Sequence, residues 1–505
     1  MDGGGKPLIE VYMRLTEEQQ AVIEALRHWS RIKVYALAGT GKTATLRAIA
    51  YLFPNIRILY IAFNRGIVDE ARGKFPPNVE VRTVNSLAYY HDGWQYKNRL
   101  SKLDFYEIAD VLKESSDDVI DNLKYFQSYL NSACSLDEQS IAAYLQSLYP
   151  RLDDPEKTAD FILRLYQALK ENSLQVDHAF YLKEFQLSFE AKGLSGLYDL
   201  VMLDEAQDTN PVTLDVFKRF RARKVMVGDR HQKVYGFRKA IDAMEKFSAE
   251  ATLYLTRTFR FDQADQVSAV NDLLYHLKCE EYSHLIKPGK VSGNGNGTPR
   301  NSCIITRTNA QLLKALDEWD DLKTVRPPAQ YFQRFFRIFR KQVRAPEHNG
   351  TFKGYLNALE EMAESVDDTD LAATVKLIRQ HGCRRKYFKE LYDRAVENYG
   401  NGGNNLVGTA HSVKGLEFST VELTDDFLGP AELLSKLFQG QAAIGSTVHL
   451  TRPRLRQVFR GLKDDPLLEE INLLYVALTR AKEEVHFPRA YRVDNEYRVV
   501  ITGEE

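Results

Sequence analysis

Cysteine is scarce in this sequence, and its distribution excludes two classes of protein. The 505 residues contain four cysteines, Cys134, Cys279, Cys303 and Cys383, and no two of them form a CxxC pair. Few cysteines that lie far apart, with no CxxC pair, argue against both a disulfide framework and a cysteine-based zinc site. We therefore expect four reduced thiols.

Long apolar runs and an excess of charge are also missing. No apolar run approaches the roughly 20 residues that span a bilayer, and residues 1–7 do not resemble a secretory signal. We therefore expect an intracellular protein, located in the cytoplasm or nucleoid of a bacterium or in the nucleus of a eukaryote. With 68 Lys+Arg against 69 Asp+Glu the formal net charge is −1. Composition alone thus gives no sign of a nucleic-acid partner, and such a sign must come from local sites.

The length and composition indicate a globular protein with more than one core. Hydrophobic residues make up 44% of the chain and charged residues 27%, a balance typical of folded globular domains. A chain of 505 residues is too long for one compact core. We predict two principal domains, each enlarged by an inserted segment.

The first local signal is a glycine-containing loop between a strand and a helix. Residues 32–35 have the β-branched and aromatic character of a strand, and residues 44–51 have a helical pattern. In such a loop backbone N–H groups surround phosphate oxygens, Lys42 reaches the β- and γ-phosphates, and the Thr43 hydroxyl binds Mg²⁺. Ala36 replaces the first glycine of the general pattern but leaves the Gly-Lys-Thr centre intact. The predicted ATP-binding loop comprises Ala36, Leu37, Ala38, Gly39, Thr40, Gly41, Lys42 and Thr43.

Two acidic residues supply groups that hydrolysis needs in addition to a phosphate loop. The apolar run 197–203 predicts a buried strand that ends in Asp204 and Glu205. Ligands of α/β proteins bind at this carboxyl edge of the strands. We predict that Asp204 binds Mg²⁺ together with Thr43 and that Glu205 activates the attacking water. An exposed acidic turn is the alternative, which the upstream glycine loop disfavours.

The glycine loop and the Asp-Glu-Ala-Gln-Asp box at 204–208 resemble those of the UvrD-like superfamily 1A helicases. Further boxes of that family occur in the same order at residues 227–238, 255–260, 307–311, 408–418 and 474–481. The sequences of these motifs are most similar to those of the F-box DNA helicases and their bacterial relatives. We expect no F-box before the first motif and no nuclease domain after the last one. The resemblance implies two RecA-like P-loop cores, each a parallel sheet flanked by helices with a mainly helical insertion.

The resemblance also assigns residues to the nucleotide. It implies that Phe259 stacks on the adenine in place of the family's tyrosine and that Glu417 binds the ribose hydroxyl. Gln232 would sense the γ-phosphate, and Arg260 and Arg480 would approach it.

Gln19 has two interpretations. It occupies the place of the family's adenine-binding glutamine, and its amide has the donor and acceptor that an adenine edge requires. It also forms a capping box with Thr16 for a predicted helix at 17–29, and this purely structural role stays open.

Binding of single-stranded DNA requires aromatic faces for the bases and polar groups along the backbone. The resemblance suggests Phe63, Tyr235 and Phe237 for stacking, although Phe63 is also compatible with a core position. Asn85 replaces the histidine of the family's Thr-Phe-His-Ser box and keeps a hydrogen-bonding side chain. The residues assigned to the DNA backbone are Asn64, Arg65, Thr83, Asn85, Ser86, Arg238, Thr409 and His411.

The motif spacing divides the chain into two motor domains with insertions. The predicted segments are 1–90 and 192–265 for the first motor domain, 91–191 for its helical insertion, 266–326 and 402–505 for the second motor domain, and 327–401 for a small helical insertion. Basic-aromatic stretches at 334–341 and 384–389 are compatible with contacts to duplex phosphates. At helical spacing, however, Phe335, Phe336 and Phe339 are more simply a buried stripe.

The function implied is that of an ATP-dependent and Mg²⁺-dependent DNA helicase that moves 3′ to 5′ on single-stranded DNA and acts at junctions with duplex. One alternative is a translocase that strips proteins, such as recombinase filaments, from single strands without productive unwinding. A non-motor ATP switch is a third hypothesis, which the presence of Glu205, Arg260 and Arg480 disfavours.

Overall fold

The structure is a computed structural model that describes residues 15–171, 174–234, 243–289, 301–344, 352–365, 368–400, 403–429, 432–433, 435, 447–449, 466–486 and 498–500. The chain divides into two compact units. The first consists of residues 1–36 and 41–255, and the second of residues 37–40 and 256–505.

A six-stranded parallel sheet forms the centre of the first unit, with strand order β3-β2-β4-β5-β1-β6. Its strands are β1 (Arg31–Ala36), β2 (Ile58–Ala62), β3 (Val79–Thr83), β4 (Leu200–Leu203), β5 (Arg223–Gly228) and β6 (Ala251–Leu255). Every residue of β2 and β4 is buried, as expected where helices cover both faces of a parallel sheet. The predicted strand at 197–203 is shorter in the structure, because a 3₁₀ turn at Leu194–Gly196 precedes it and leaves Leu197 39% exposed.

The helices of the first unit fall into two groups. Those along the sheet are α1 (Glu17–His28), α2 (Lys42–Leu52), α3 (Arg65–Ala71), α4 (Val84–His91), α10 (Pro211–Arg219) and α11 (Ala243–Lys246). Those between β3 and β4 are α5 (Phe105–Leu112), α6 (Ser116–Leu130), α7 (Glu138–Leu148), α8 (Pro155–Glu171) and α9 (His178–Ser188). The second group lies within the predicted helical insertion at 91–191 and encloses a large apolar core.

One cation is buried within that core. Lys183 of α9 is fully buried, and its ammonium donates to the carbonyls of Ser132 and Cys134 and lies 4.5 Å from the ring centroid of Tyr129. Burial lowers the pKa of Lys183 to about 7, because the charged form loses its hydration.

A five-stranded parallel sheet, with order β10-β11-β9-β12-β14, forms the centre of the second unit. Its strands are β9 (Ser302–Thr306), β10 (Lys323–Thr324), β11 (Asn405–Thr409), β12 (Phe418–Leu423) and β14 (Ala481–His486). Two short ladders pair β7 (Arg257–Thr258) with β8 (Lys287–Pro288) and β13 (Thr447–His449) with β15 (Arg498–Val500). The helices are α12 (Ala264–Asp272), α13 (Asn309–Glu318), α14 (Ala329–Arg344), α15 (Phe352–Ser365), α16 (Thr369–Gln380), α17 (Arg385–Gly400) and α18 (Pro466–Leu478).

The aromatic residues of α14 face the interior. Phe335 and Phe339 are fully buried and pack on Phe388 of α17, with ring centroids 5.2 and 5.5 Å away. Arg337 and Arg340 lie on the exposed side of the helix. The interpretation of this stretch as a buried stripe is therefore confirmed for Phe335 and Phe339, whereas Phe336 is only partly buried.

The overall architecture is the predicted α/β type, with parallel sheets flanked by helices. Within the part of the chain that the structure describes, no helix combines the length and the apolar character needed to cross a membrane. None of the four cysteines is joined in a disulfide.

Candidate nucleotide and nucleic-acid sites

The glycine loop follows β1 and leads into α2. Gly39 and Gly41 have φ angles of +73° and +80°, a left-handed conformation that glycine adopts without the steric cost borne by other residues. A Cβ atom at Gly39 would lie 2.5 Å from Oγ1 of Thr258 and 2.6 Å from Cβ of Arg260. The loop backbone therefore needs glycine at this position both for its conformation and for space.

The side chains that follow the loop contact the acidic box. Lys42 Nζ lies 2.8 Å from Oε2 of Glu205, and the Thr43 hydroxyl donates to Oδ2 of Asp204 over 3.3 Å. Only β5 separates β1 from β4 in the sheet, so the carboxyl ends of these strands bring the two motifs together. The structure thus places Lys42, Thr43, Asp204 and Glu205 in one cluster.

Mutual charges control the ionisation of this cluster. Burial alone would lower the pKa of Lys42, but the carboxylates of Glu205, Asp229 and Asp204 raise it above the ordinary lysine value. Burial and the neighbouring charge of Glu205 raise the pKa of Asp204, against the opposing effect of Lys42. The ammonium is therefore charged at neutral pH, and a further cation beside Asp204 would favour its ionised form.

The donor set fits a Mg²⁺ ion that retains water and phosphate ligands. Mg²⁺ in nucleotide sites is bound through one or two carboxylates together with phosphate oxygens. Asp204 offers a buried carboxylate next to the hydroxyl of Thr43. Among the described residues, no group of three or more His, Cys, Asp or Glu side chains forms an all-protein metal site.

Tyr60 is part of this cluster, although the motifs assigned it no role. Its hydroxyl donates to Oδ2 of Asp204 over 2.7 Å from the neighbouring strand β2. Burial and the negative charge of Asp204 raise the pKa of Tyr60, so the phenol stays a hydrogen-bond donor. Its only sequence signal is a hydroxyl within the otherwise apolar strand 58–62.

A chain of hydrogen bonds joins Glu205 to Gln232 through Gln207, a residue to which the sequence assigned no role. Gln207 Nε2 donates to Oε2 of Glu205 over 2.7 Å, and its Oε1 accepts the backbone N–H of Asp229 over 3.0 Å. Gln232 Nε2 donates to Oδ2 of Asp229 over 2.8 Å. A Cβ atom at Gly228 would lie 2.7 Å from Gln207 Oε1, so the glycine leaves room for this chain.

Glu205 itself has a backbone conformation that is unusual for its residue type. Its φ angle is +51°, in the left-handed region that costs a non-glycine residue roughly 1–2 kcal/mol. Strain of this kind accumulates at functional positions, where the surrounding structure maintains it.

Gln19 makes the predicted capping box and also reaches the glycine loop. Its Oε1 accepts the backbone N–H of Thr16 over 3.0 Å, and the Thr16 hydroxyl accepts the N–H of Gln19 over 3.2 Å. Its Nε2 lies 2.9 Å from the position of a Cβ atom at Gly41. The cap therefore uses the amide oxygen and directs the amide nitrogen towards the loop.

In the second unit, Arg260 and Glu417 bind each other. Arg260 donates from Nε and Nη2 to Oε1 of Glu417 over 3.0 and 2.6 Å, and from Nη1 to the carbonyl of Thr479 over 2.9 Å. Burial alone would raise the pKa of Glu417, but Arg260 and Lys482 lower it to about 2. The carboxylate is therefore ionised at neutral pH.

Loop residues 37–40 group with this unit. The Ala38 N–H donates to the buried hydroxyl of Tyr475 over 3.0 Å, and the Gly39 carbonyl accepts the N–H of Phe259 over 2.8 Å. Phe259 leaves 37% of its surface exposed, so its ring has a free area for stacking. Tyr475 is a further contact that the sequence did not indicate.

Arg480 is buried, with 1% of its surface exposed. Its guanidinium donates to the carbonyls of Val476 and Leu416 over 2.9 and 3.3 Å and to the Thr479 hydroxyl over 3.0 Å. These contacts fix the side chain between α18 and the start of β12.

Comparison with known families identifies the chain at the level of a family. Residues 15–252 match the model of the UvrD/REP helicase N-terminal domain, and residues 155–488 match that of the UvrD-like helicase C-terminal domain. The chain belongs to the UvrD-like helicase family. Membership in this family implies an architecture with two RecA-like cores, with which the two parallel sheets of the chain agree. The resemblance inferred from the motifs is thereby confirmed.

Individual relatives of this UvrD-like helicase include F-box DNA helicases. F-box DNA helicase 1 of Gallus gallus is 26% identical over 93% of this chain and 48% of its own length. F-box DNA helicase protein 1 of Schizosaccharomyces pombe is 28% identical over 93% of this chain and 57% of its own. A probable DNA helicase of Mycoplasma pneumoniae is 22% identical over 89% of this chain and 79% of its own. The chain thus spans about half the length of the two F-box relatives.

The candidate DNA-binding residues of the first unit lie at the ends of two paired strands. Phe63, Asn64 and Arg65 follow β2, whose last residue pairs with Thr83 at the end of β3. Phe63 is 36% exposed and is therefore not a core residue. Arg65 is well exposed and lies 3.6 Å from Asp69.

Several of these polar side chains cap helices. Asn64 Oδ1 accepts the N–H of Ile67 at the start of α3. Thr83 and Ser86 form a capping box at the start of α4, while Asn85 is exposed beside them. The caps fix these side chains at one edge of the sheet in the UvrD-like helicase.

The second unit contributes Thr409 and His411 near the end of β11. Thr409 is buried, and its hydroxyl accepts the N–H of Ser412 over 3.4 Å. His411 Nε2 lies 3.3 Å from Oε1 of Glu469. Tyr235, Phe237 and Arg238 lie outside the described residues.

Proposed function

We propose that this UvrD-like helicase is an ATP-driven motor that moves 3′ to 5′ on single-stranded DNA and unwinds duplex at single-strand junctions. One observation carries the proposal: the lysine and threonine of the phosphate loop contact the two carboxylates of the acidic box. A phosphate-binding lysine beside a carboxylate that can activate water is the arrangement that triphosphate hydrolysis requires. The family and the relatives support DNA as the partner.

In the proposed mechanism, the bound triphosphate withdraws Lys42 from Glu205. Its β- and γ-phosphates offer the ammonium a denser negative charge than one carboxylate does. Oε2 of Glu205 keeps the Gln207 donor, and the carboxylate becomes available to accept a proton from the attacking water. When bound by Asp204 and Thr43, Mg²⁺ would neutralise charge on the phosphates.

Further residues would report the state of the γ-phosphate. Gln232 is joined to Glu205 through Gln207 and Asp229, which supports its role as the γ-phosphate sensor. Arg260 and Arg480 would stabilise charge that develops during the transfer. The amide nitrogen of Gln19 and the exposed face of Phe259 would hold the adenine.

Movement along DNA would use the strand ends that carry aromatic and polar side chains. Phe63 would stack on a base, and the groups beside it would contact the backbone. Thr409 and His411 would provide the corresponding contacts in the second unit. Alternating grip by the two cores would convert nucleotide turnover into steps.

The decisive experiment compares ATP hydrolysis with and without single-stranded DNA for the parent, Glu205→Gln and the control Glu190→Gln, which alters an exposed glutamate. We expect DNA-stimulated hydrolysis in the parent and the control. In Glu205→Gln we expect kcat to fall by roughly 10² to 10⁴, the usual contribution of a positioned acid or base, while ATP binding is retained. Loss of ATP binding in Glu205→Gln would show that this carboxylate has been misassigned, and turnover indifferent to DNA would favour the ATP-switch hypothesis.

Direction and task are tested on tailed duplexes. A 3′ single-stranded tail should support strand separation, whereas a 5′ tail should not. Removal of a protein filament without strand separation, measured on the same preparation, would instead favour the protein-stripping translocase.

A further inference from the structure

The carboxylate of Glu417 has two cationic partners in the second unit. Its Oε1 accepts both hydrogen bonds from Arg260, and its Oε2 lies 3.1 Å from Nζ of Lys482. Lys482 directly follows the last motif, at the start of β14. Each carboxylate oxygen therefore has its own cation.

The proposed function requires this arrangement to change. Arg260 would approach the γ-phosphate, and Glu417 would accept a hydrogen bond from a ribose hydroxyl. While the two side chains bind each other, Arg260 uses Nε and Nη2 on Glu417 and occupies Oε1. ATP therefore has to separate the pair before either side chain can bind it in this way.

Separation would leave Glu417 without its arginine. Its side chain is 37% exposed, so it is only partly hydrated, and a partly buried carboxylate without a cation is costly. Lys482 is 39% exposed and binds the oxygen that Arg260 does not use. It can therefore remain on Oε2 while Oε1 accepts a hydrogen bond from the ribose hydroxyl.

We propose that Lys482 is a positioning residue of the nucleotide site, which holds Glu417 ionised and oriented towards the ribose when ATP draws Arg260 away. The proposal rests on the proposed function, because it assumes that Glu417 binds the ribose. In this scheme Arg260 and Glu417 form an ion pair in the absence of nucleotide, and binding of ATP breaks this pair. Lys482 is the partner common to both states.

The test compares ATP with 2′,3′-dideoxy-ATP in the parent, Lys482→Met, Lys482→Arg and Lys386→Met. Lys386 is a matched control, because it is 88% exposed and pairs with Glu390 one helical turn away on α17. A hydrogen bond to a charged group is worth about 1.5–3 kcal/mol, or roughly tenfold or more in affinity. We therefore expect KM for dideoxy-ATP to exceed KM for ATP by about that factor in the parent and in Lys386→Met.

In Lys482→Met we expect the KM ratio of the two nucleotides to fall close to one, through weaker binding of ATP, with a smaller change in kcat. Lys482→Arg keeps the positive charge and should restore most of the ratio. A merely structural role would affect both nucleotides equally, and an unchanged ratio in Lys482→Met would overturn the proposal. If Lys482→Met does not fold, a parental ratio in Lys482→Arg supports it and a ratio near one contradicts it.

Failure of the proposed function has a different signature. If the parent hydrolyses both nucleotides equally well, the motor assignment stands but Glu417 does not bind the ribose, which overturns the inference. If the parent hydrolyses neither, the proposed function fails, and the inference fails with it.

Discussion

Substitution of Tyr60 by phenylalanine tests the least expected member of the nucleotide site. The change removes one hydroxyl and keeps the ring, which packs against Phe75 with centroids 4.8 Å apart. The lost hydrogen bond is the 2.7 Å contact to Oδ2 of Asp204. The remaining contacts of that carboxylate include the longer one from Thr43 and the backbone N–H of Glu205.

The size of the effect follows from the charge and burial of the acceptor. A hydrogen bond to a charged group contributes about 1.5–3 kcal/mol, and loss of a residue that orients a metal ligand typically costs about 10–100-fold in metal affinity. We therefore expect Tyr60→Phe to need roughly tenfold or more Mg²⁺ for half-maximal nucleotide binding. The hydroxyl also opposes the upward shift of the Asp204 pKa, so its removal should move the acid limb of the ATPase profile to higher pH.

The assay is calorimetric binding of a non-hydrolysable ATP analogue at stepped Mg²⁺ concentrations, together with ATPase rates across pH. The matched control is Tyr166→Phe, which removes a buried hydroxyl that contacts Glu184 in the helical insertion. The control should keep the parental Mg²⁺ dependence. Identical Mg²⁺ dependence in Tyr60→Phe and the parent would refute the reasoning, because Asp204 would then need no help from Tyr60.

Three further predictions concern other parts of the chain. Gln207→Leu removes the bridge between Glu205 and Asp229, and we expect kcat for ATP to fall about tenfold or more with little change in KM; unaltered steady-state kinetics would contradict it. Phe63→Ala should weaken single-stranded DNA binding by about 1–3 kcal/mol and leave ATP binding intact, as titration with labelled oligonucleotide would show. For Lys183 the pKa in the folded state, about 7, lies below the unfolded value of 10.5. At pH values between these two, the folded state binds fewer protons than the unfolded state, so the free energy of unfolding rises with pH. The unfolding free energy of the parent relative to Lys183→Met should therefore increase by about 2 kcal/mol between about pH 6.5 and about pH 9. Denaturant titrations that give a pH-independent difference would rule this out.

The parts of the site that were predictable from sequence are those in which neighbouring residues carry the chemistry. The strand, glycine loop and helix around Lys42 form one continuous segment, and the glycines are required by local backbone conformation. Asp204 and Glu205 were predictable because a buried parallel strand directs its carboxyl end towards a ligand. The parallel sheets were expected from the resemblance to the UvrD-like helicases, which the motifs carried.

The missed residues depend on which strands become neighbours. Tyr60 lies 144 positions before Asp204, and its role follows from the pairing of β2 with β4, which no short pattern encodes. Tyr475 of α18 contacts Ala38 of the glycine loop across 437 positions, and no short pattern encodes this tertiary contact either. Gln207 belongs to the Asp-Glu-Ala-Gln-Asp box itself, but its amide matters because β5 brings Asp229 within reach.

Burial in the structure decided between a core and a surface position for Phe63 and the phenylalanines of α14. Sequence periodicity predicts burial only within regular helices and strands. Phe63 follows a strand directly, where alternation of inside and outside positions ends, and its exposure could not be read from the pattern. In α14 the helical period continues over several turns, so the burial of Phe335 and Phe339 could be predicted from the pattern.

The left-handed backbone of Glu205 implies a trade-off between stability and activity at this position. Glycine there would relax the main chain but remove the carboxylate that we propose as the proton acceptor. Selection for thermal stability alone would favour replacement of this glutamate, whereas selection for ATP hydrolysis would retain it. We therefore expect homologues that hydrolyse ATP to have glutamate at this position, and homologues that have lost the activity to be free to replace it.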